Sequence, residues 1–203
     1  ELEVNQLKMI YQDRTVRSEI ESSCTESRFK EESPSYGYLH LATHGIFNPY
    51  QPMYSYLALY PSDMDDGRLT VNEIFELSLQ CNVVTLSACE TALGDLGKAD
   101  ELIGLSRAFL YAGASSVVVT LWKVDDISTA WLMTRFHQYL QQGKSAEHAL
   151  SLAQRDMINR NFQPSGPLRG SGYEEMNDKL RQRLVKVPGP FHWAAFHVIG
   201  RNR

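Results

Sequence analysis

Apolar positions along this chain follow two rhythms. The first is the short continuous run. Val83-Val84-Thr85-Leu86, inside the stretch Cys81 to Ala88, is apolar and mostly β-branched, and Ser116 to Trp122 repeats the pattern. Runs of this kind suit strands buried on both faces of a parallel sheet. Tyr36 to Thr43 reads as a third such strand. The second rhythm is helical. Leu102, Leu105 or Ser106, and Phe109 fall on one face between Ala99 and Ala112, and Gly113 stops the pattern. Asp125 or Asp126 caps a helix from Ile127 to Gln142. Ser145 caps another, with Ala146, Ala149, Leu150, Ala153 and Met157 on one side. Thr70 followed by Glu73 is a capping box, which opens a helix that turns Ile74 and Leu77 inward. Strands alternating with helices predict an α/β fold, a mostly parallel central sheet with helices on both faces.

Other segments carry weaker patterns. Tyr56 to Tyr60 is a short strand, Asp63 to Gly67 is turn chemistry, and Arg68-Leu69 returns as a hairpin partner. Asn48 to Pro52 holds two prolines and is a loop. Four tyrosines, Tyr50, Tyr54, Tyr56 and Tyr60, crowd this region and read as hairpin surface and rim. Ser18 to Lys30 is expected as a surface helix, His192 to Ile199 as a closing strand. Glu1 to Arg17 gives no clear pattern. Residues 163–190, rich in Gly, Pro and charge, are expected as a mobile excursion. The chain reads as one domain, and its start at Glu1 without Met reads as a fragment of a longer protein.

Composition narrows the function classes. The chain is 43% hydrophobic, enough for a core, and its formal net charge of −4 comes without a dense basic run. A nucleic-acid groove is not expected. No apolar run approaches the roughly 18 residues of a membrane span, and no signal peptide is visible. Three cysteines, Cys24, Cys81 and Cys89, show no C-x-x-C pair, which fits free thiols in a reducing, cytoplasmic compartment and gives no metal or cofactor motif.

Candidate chemistry gathers at strand ends. Cys89 follows the run Val83–Leu86 through two small residues, just before a Gly-containing stretch, where open α/β sheets place their ligand crevices. A partly exposed thiol there is a candidate nucleophile. His44 lies 45 residues upstream, at the end of another strand. It would serve as base toward Cys89 or as acid toward the leaving amine. His40 precedes it by two alternations on the same predicted strand. Cys81 is expected in the core and Cys24 at the periphery.

Five blocks in order carry a resemblance: L-H-L-A-T-H-G, D-G-R-L-T-V-N-E-I, V-V-T-L-S-A-C-E-T-A-L-G, G-L-S-R-A-F-L-Y-A-G-A-S-S-V-V-V-T-L-W-K-V-D-D, and H-W-A-A-F-H-V-I-G. They run from about Leu39 to Gly200. The sequence resembles the CHAT domain, a caspase-like protease domain often found beside tetratricopeptide repeats. A histidine about 50 residues before an A-C pair is the caspase arrangement. The resemblance implies a cysteine endopeptidase with a His44–Cys89 dyad and no cofactor. It also implies an oxyanion hole formed by the amides of Gly45 and Cys89, a protein substrate, and activation by an upstream repeat domain or partner. A caspase-like scaffold that only binds protein is the alternative. Ser87 stands where caspases carry the glutamine of their Q-A-C motif; it is too short for that job, so a strict preference for Asp is not expected. Trp122, Asp125 and Asp126 follow the strand beside which caspase-like folds build their substrate cleft, and Glu90 and Asp95 are further acidic candidates. An acidic cluster would favour Arg or Lys; a pocket walled by Trp122 would favour an apolar residue. Asp125 and Asp126 equally fit plain helix caps.

Overall fold

The computed structural model describes residues 2–11, 14–87, 97–122, 124–159 and 189–200; side chains are described from residue 3 and, in the helix that begins at 97, from residue 104. Cys89 and residues 163–188 of the expected excursion thus lie outside the described residues; its last two, Gly189 and Pro190, open a helix. The strands are β1 (Tyr38–Leu41), β2 (Gly45–Ile46), β3 (Tyr56–Ala58), β4 (Arg68–Thr70), β5 (Val83–Leu86), β6 (Ser116–Thr120) and β7 (Phe196–Gly200). The helices are α1 (Leu2–Ile10), α2 (Glu26–Glu32), α3 (Val71–Glu76), α4 (Gly97–Tyr111), α5 (Asp126–Gln141), α6 (Ala146–Ile158) and α7 (Pro190–Trp193). The chain divides into two compact units, one of Glu1–Ser18 and Val124–Phe196, the other of Glu19–Lys123 and His197–Arg203.

The second unit is built on a four-stranded sheet in the order β1-β5-β6-β7. β5 pairs in parallel with β1 on one side and β6 on the other. Every residue of β5 and β6 is buried, as continuous apolar runs require when both sides of a strand are covered. A second sheet, β2-β3-β4, is antiparallel. Its inward residues Gly45, Leu57 and Leu69 are buried, while their neighbours face outward. Leu57 and Leu69 join one core with Leu39, Leu41, Val84, Leu86, Val117 and Val119 from the parallel sheet, Ile74 from α3 and Phe109 from α4. Thr70 closes β4 and caps α3 through the expected capping box, its hydroxyl accepting from the Glu73 amide. Gly113 ends α4 with φ of 117°, and a side chain there would run into the Leu79 carbonyl.

The first unit is helical. Asp125 caps α5 by accepting from the Ser128 amide, and Ser145 caps α6 by accepting from the His148 amide. Between these two helices Arg135, nearly buried, is clamped by Asp156, whose carboxylate also accepts from the Tyr139 hydroxyl at 2.6 Å. Burial of a guanidinium is tolerable with such a partner and costly without one.

The α/β class, and the mostly parallel sheet with flanking helices, follow the pattern of the sequence. Several boundaries do not. β1 stops at Leu41, so the alternation linking His40 to His44 is interrupted. The expected helix at 18–30 is a single 3₁₀ turn at Glu21–Ser23 followed by α2, because Thr25 accepts from the Arg28 amide and resets the start. The expected closing strand at 192–199 begins instead with α7. Pro190 at its first position is preset for a helical turn, and β7 starts only at Phe196. α1 occupies the stretch that showed no clear pattern, and the two-residue β2 is too short for any periodicity to reveal.

Candidate active site

The carboxyl ends of β1 and β5 lie side by side. Their parallel register pairs Leu41 with Leu86, and the Ser87 amide donates to the Leu41 carbonyl at 3.1 Å, the last rung between them. His44 stands three residues past Leu41, on the passage from β1 into β2. Its backbone is held by β3: the Ala58 amide donates to the His44 carbonyl at 2.8 Å, and the Thr43 hydroxyl donates to the Ala58 carbonyl. The imidazole itself is exposed. Gly45 is buried and paired with Leu57. Cys89, Glu90 and Asp95 lie outside the described residues; what is described is the strand that leads to them.

The two described thiols are poor nucleophiles. Cys81 is 1% exposed, and burial lifts its thiol to about 11. Cys24 is half-buried and is also raised, by burial first and then by the Glu19 carboxylate. Thiolates form readily only in electropositive, accessible surroundings. Both cysteines take the core and peripheral positions their sequence context indicated.

The expected pocket residues are dispersed in character. Ser87 is buried at the end of β5. Trp122 is half-buried, two residues past the end of β6. Asp126 is exposed in the first turn of α5. Asp125 is committed to its helix: its Oδ1 accepts from the Ser128 amide at 3.1 Å, and its Oδ2 lies 3.1 Å from His192 Nδ1. Burial opposes ionisation of this carboxyl, but the bonds from Ser128 and His192 outweigh it and hold it below its ordinary value.

His192 was not singled out by the sequence, although it lies in the block H-W-A-A-F-H. It brings a Ser-His-Asp set into contact, yet not in the geometry of a serine hydrolase. Ser128 Oγ lies 3.2 Å from His192 Nδ1, the same ring nitrogen that faces Asp125. A relay needs the serine and the carboxylate on opposite ring nitrogens. The cluster is a clamp joining the α5 cap to α7. Among the described residues no group of His, Cys, Asp and Glu could hold a metal ion, and no helix is long and apolar enough to cross a membrane.

The family model of the CHAT domain matches residues 1–201. The chain belongs to the CHAT domain family. Its fold is accordingly the caspase-like one. Similar curated proteins are the Tetratricopeptide repeat protein 28 of Mus musculus, 36% identical over 134 residues, and that of Homo sapiens, 33% identical over 134 residues. The alignment spans 66% of this chain but only 4% of each of those proteins, whose names record a repeat region.

Proposed function

We propose that this CHAT domain is a cysteine endopeptidase in which Cys89 attacks a peptide carbonyl and His44 handles the proton. The observation that carries the reading is the register of β1 and β5. Leu41 pairs with Leu86, the Ser87 amide reaches back to Leu41, and His44 and Cys89 each follow the last register pair by three residues. A histidine and a cysteine at equal distances past parallel neighbours support a shared site at one sheet edge, where α/β folds place their sites. Burial raises the thiols of Cys24 and Cys81, which supports the choice of Cys89.

The step is acyl transfer. Cys89 sulfur bonds to the carbonyl carbon, the oxyanion gathers at the amides of Gly45 and Cys89, and the C–N bond breaks as His44 delivers a proton to the departing amine. Water then releases the acyl group and restores the thiol. Ser87, Glu90, Trp122, Asp125 and Asp126 remain the candidates for substrate choice; Asp125 would have to serve the substrate without giving up its cap. A repeat domain in the same parent protein would dock the substrate or order the cleft, as the kinship with repeat proteins favours, and free thiols favour the cytoplasm.

Labelling by a peptidyl acyloxymethyl ketone tests the reading. Modification at Cys89 is expected, with loss of labelling in Cys89→Ala and at least a hundredfold slowing in His44→Ala, while the melting temperature of each variant stays close to that of the parent. Labelling that ignores Cys89, or survives His44→Ala at full rate, points to the scaffold reading or to a different base.

A further inference from the structure

Half of the large hydrophobic side chains exposed among the described residues fall between residues 46 and 64: Ile46, Tyr50, Met53, Tyr54, Tyr60 and Met64. Of these, Ile46 and Tyr54 line one cavity, and contiguous exposed apolar surface marks interaction sites. The crowding has a structural origin. The register of the small antiparallel sheet sets Ile46 opposite Tyr56 and Tyr56 opposite Thr70. These three share the outward face, since their neighbours Gly45, Leu57 and Leu69 point into the core. Arg68, two residues before Thr70 on the same face, lays its guanidinium over the Tyr56 ring at 5.4 Å.

The loop from Phe47 to Tyr54 turns this face into a groove. Asn48 Oδ1 accepts from the amides of Tyr50 and Gln51 at 3.1 and 3.0 Å, and the Asn48 amide donates to Ser55 Oγ at 2.9 Å. Ser55 is itself 1% exposed, so the loop is pinned to the body of the unit. The resulting cavity has a volume of about 470 Å³ and is walled by Phe47, Pro49 and Tyr54 opposite Tyr56 and Arg68. Tyrosine, phenylalanine and arginine with few opposing charges is the composition of a protein-recognition surface. Among the described residues Asp66 and Arg68 are its only charged lining residues, one of each sign, which favours neither an acidic nor a basic ligand.

We propose that this groove docks the protein substrate itself, seating large apolar or aromatic side chains of an extended segment that flanks the scissile bond. The proposal rests on the endopeptidase reading above. Continuity of the chain identifies the occupant: β2 begins one residue after His44, and β3, the middle strand of the groove, holds the His44 carbonyl through the Ala58 amide. A polypeptide at His44 therefore reaches Ile46 within about two of its own residues at strand rise. Because the floor is made of β-strand and a hydrogen-bonded loop, the groove is formed before the ligand arrives, which lowers the ordering cost of binding.

Phage-displayed random dodecapeptides panned on the Cys89→Ala form of the 203-residue chain test this. Peptides with at least two large apolar or aromatic residues are expected to be enriched. Their affinity, read by fluorescence anisotropy, is expected to fall at least tenfold in Cys89→Ala carrying Tyr54→Ser or, separately, Ile46→Asp, both at exposed positions. An enriched dodecapeptide joined by a short Gly-Ser linker to a randomised octamer should then be cleaved by the Cys89 form at least tenfold faster than a scrambled fusion, and Tyr54→Ser should erase that gain. No enrichment, equal affinity in both variants, or binding without a gain in cleavage would overturn the proposal. Sedimentation in which Ile46→Asp converts a dimer to a monomer would assign the face to a second copy and overturn it too. Labelling of Cys89 by the acyloxymethyl ketone is read separately. If labelling succeeds and panning fails, the groove proposal alone falls; if labelling fails, the endopeptidase reading falls first.

Discussion

The two sheets of the second unit obey opposite rules. In β5 and β6 every side chain is buried, Val118 at 0% exposure among them. In β2, β3 and β4 only alternate residues are buried, and the outward ones include Ile46, Tyr56 and Arg68. A parallel sheet covered on both sides can use its side chains for little besides cohesion; its chemistry is confined to where strands end, at Leu41 and Ser87. An antiparallel sheet with one open face keeps half its side chains available for recognition. The chain passes from the first kind of sheet to the second at His44, so His44 and the groove share a boundary.

The same substitution made on each sheet is the strongest way to break this comparison. Val118→Asp would place a carboxylate among apolar neighbours with no partner, at a cost of several kcal/mol, roughly the whole stability of a domain this size. Little soluble folded protein is expected. Ile46→Asp sits at a surface position, and a change within about 0.5–1 kcal/mol is expected by urea unfolding. Equal losses at the two sites would show that the outer face is a second core. Next in size is Phe109→Ala, at 0% exposure in the core shared by both sheets. Its expected loss is about 3–5 kcal/mol from lost transfer energy plus the cavity. Thr70 belongs to both descriptions, since it lies on the outer face and its hydroxyl also caps α3. Thr70→Ala is expected to cost about 1 kcal/mol, and Thr70→Ser to restore most of it.

How much of this was legible in the sequence follows the same division. Val83–Leu86 and Ser116–Thr120 announce themselves because a doubly buried strand needs an unbroken apolar run. Thr70 with Glu73, and Ser145 as a cap, were legible because caps depend on local chemistry. β2 was not, because two residues carry no period; it exists because β3 is there to pair with. The turn at Pro190–Trp193 was hidden by the apolar run that follows it. The four tyrosines read as hairpin surface and rim, and two of them, Tyr54 and Tyr56, line the cavity; only the register of β2, β3 and β4 shows which face Tyr56 shares with Ile46 and Arg68. The clamp of Asp125, Ser128 and His192 joins residues 64 apart or more in sequence through His192, and no local pattern carries that.

A pH-dependent effect lies where the small sheet is tied to α2 and α3. Lys30 Nζ sits 2.5 Å from Glu26 Oε1 and 2.7 Å from Glu73 Oε1, and Glu73 Oε2 accepts from the Thr70 amide and hydroxyl at 2.9 and 2.6 Å. Burial works against the Glu73 charge, but Lys30 and Thr70 prevail and bring its carboxyl from 4.5 down to about 2. Glu26 is the opposite case. It is 1% exposed, and burial, joined by the neighbouring Glu73 carboxyl, raises its carboxyl despite Lys30. The two carboxyls therefore pull stability in opposite directions with pH. For Glu73 the unfolded chain takes up the proton first, so its contribution is complete above about 4.5 and is lost as the pH falls toward 2. For Glu26 the folded chain takes it up first, so acidification through its raised value relieves a cost. Glu73→Gln keeps the shape, removes the first contribution and also relieves part of the rise at Glu26, to which Glu73 contributes. The variant should be less stable than the parent by on the order of 1 kcal/mol at pH 7, with the difference closing between about pH 4.5 and 2. Urea unfolding of both proteins at pH 7, 4 and 2.5 measures it. Curves that stay a constant distance apart across that range would mean that the Lys30 and Thr70 contacts hold Glu73 by shape and not by charge, and that the small sheet is anchored to its helices by packing alone.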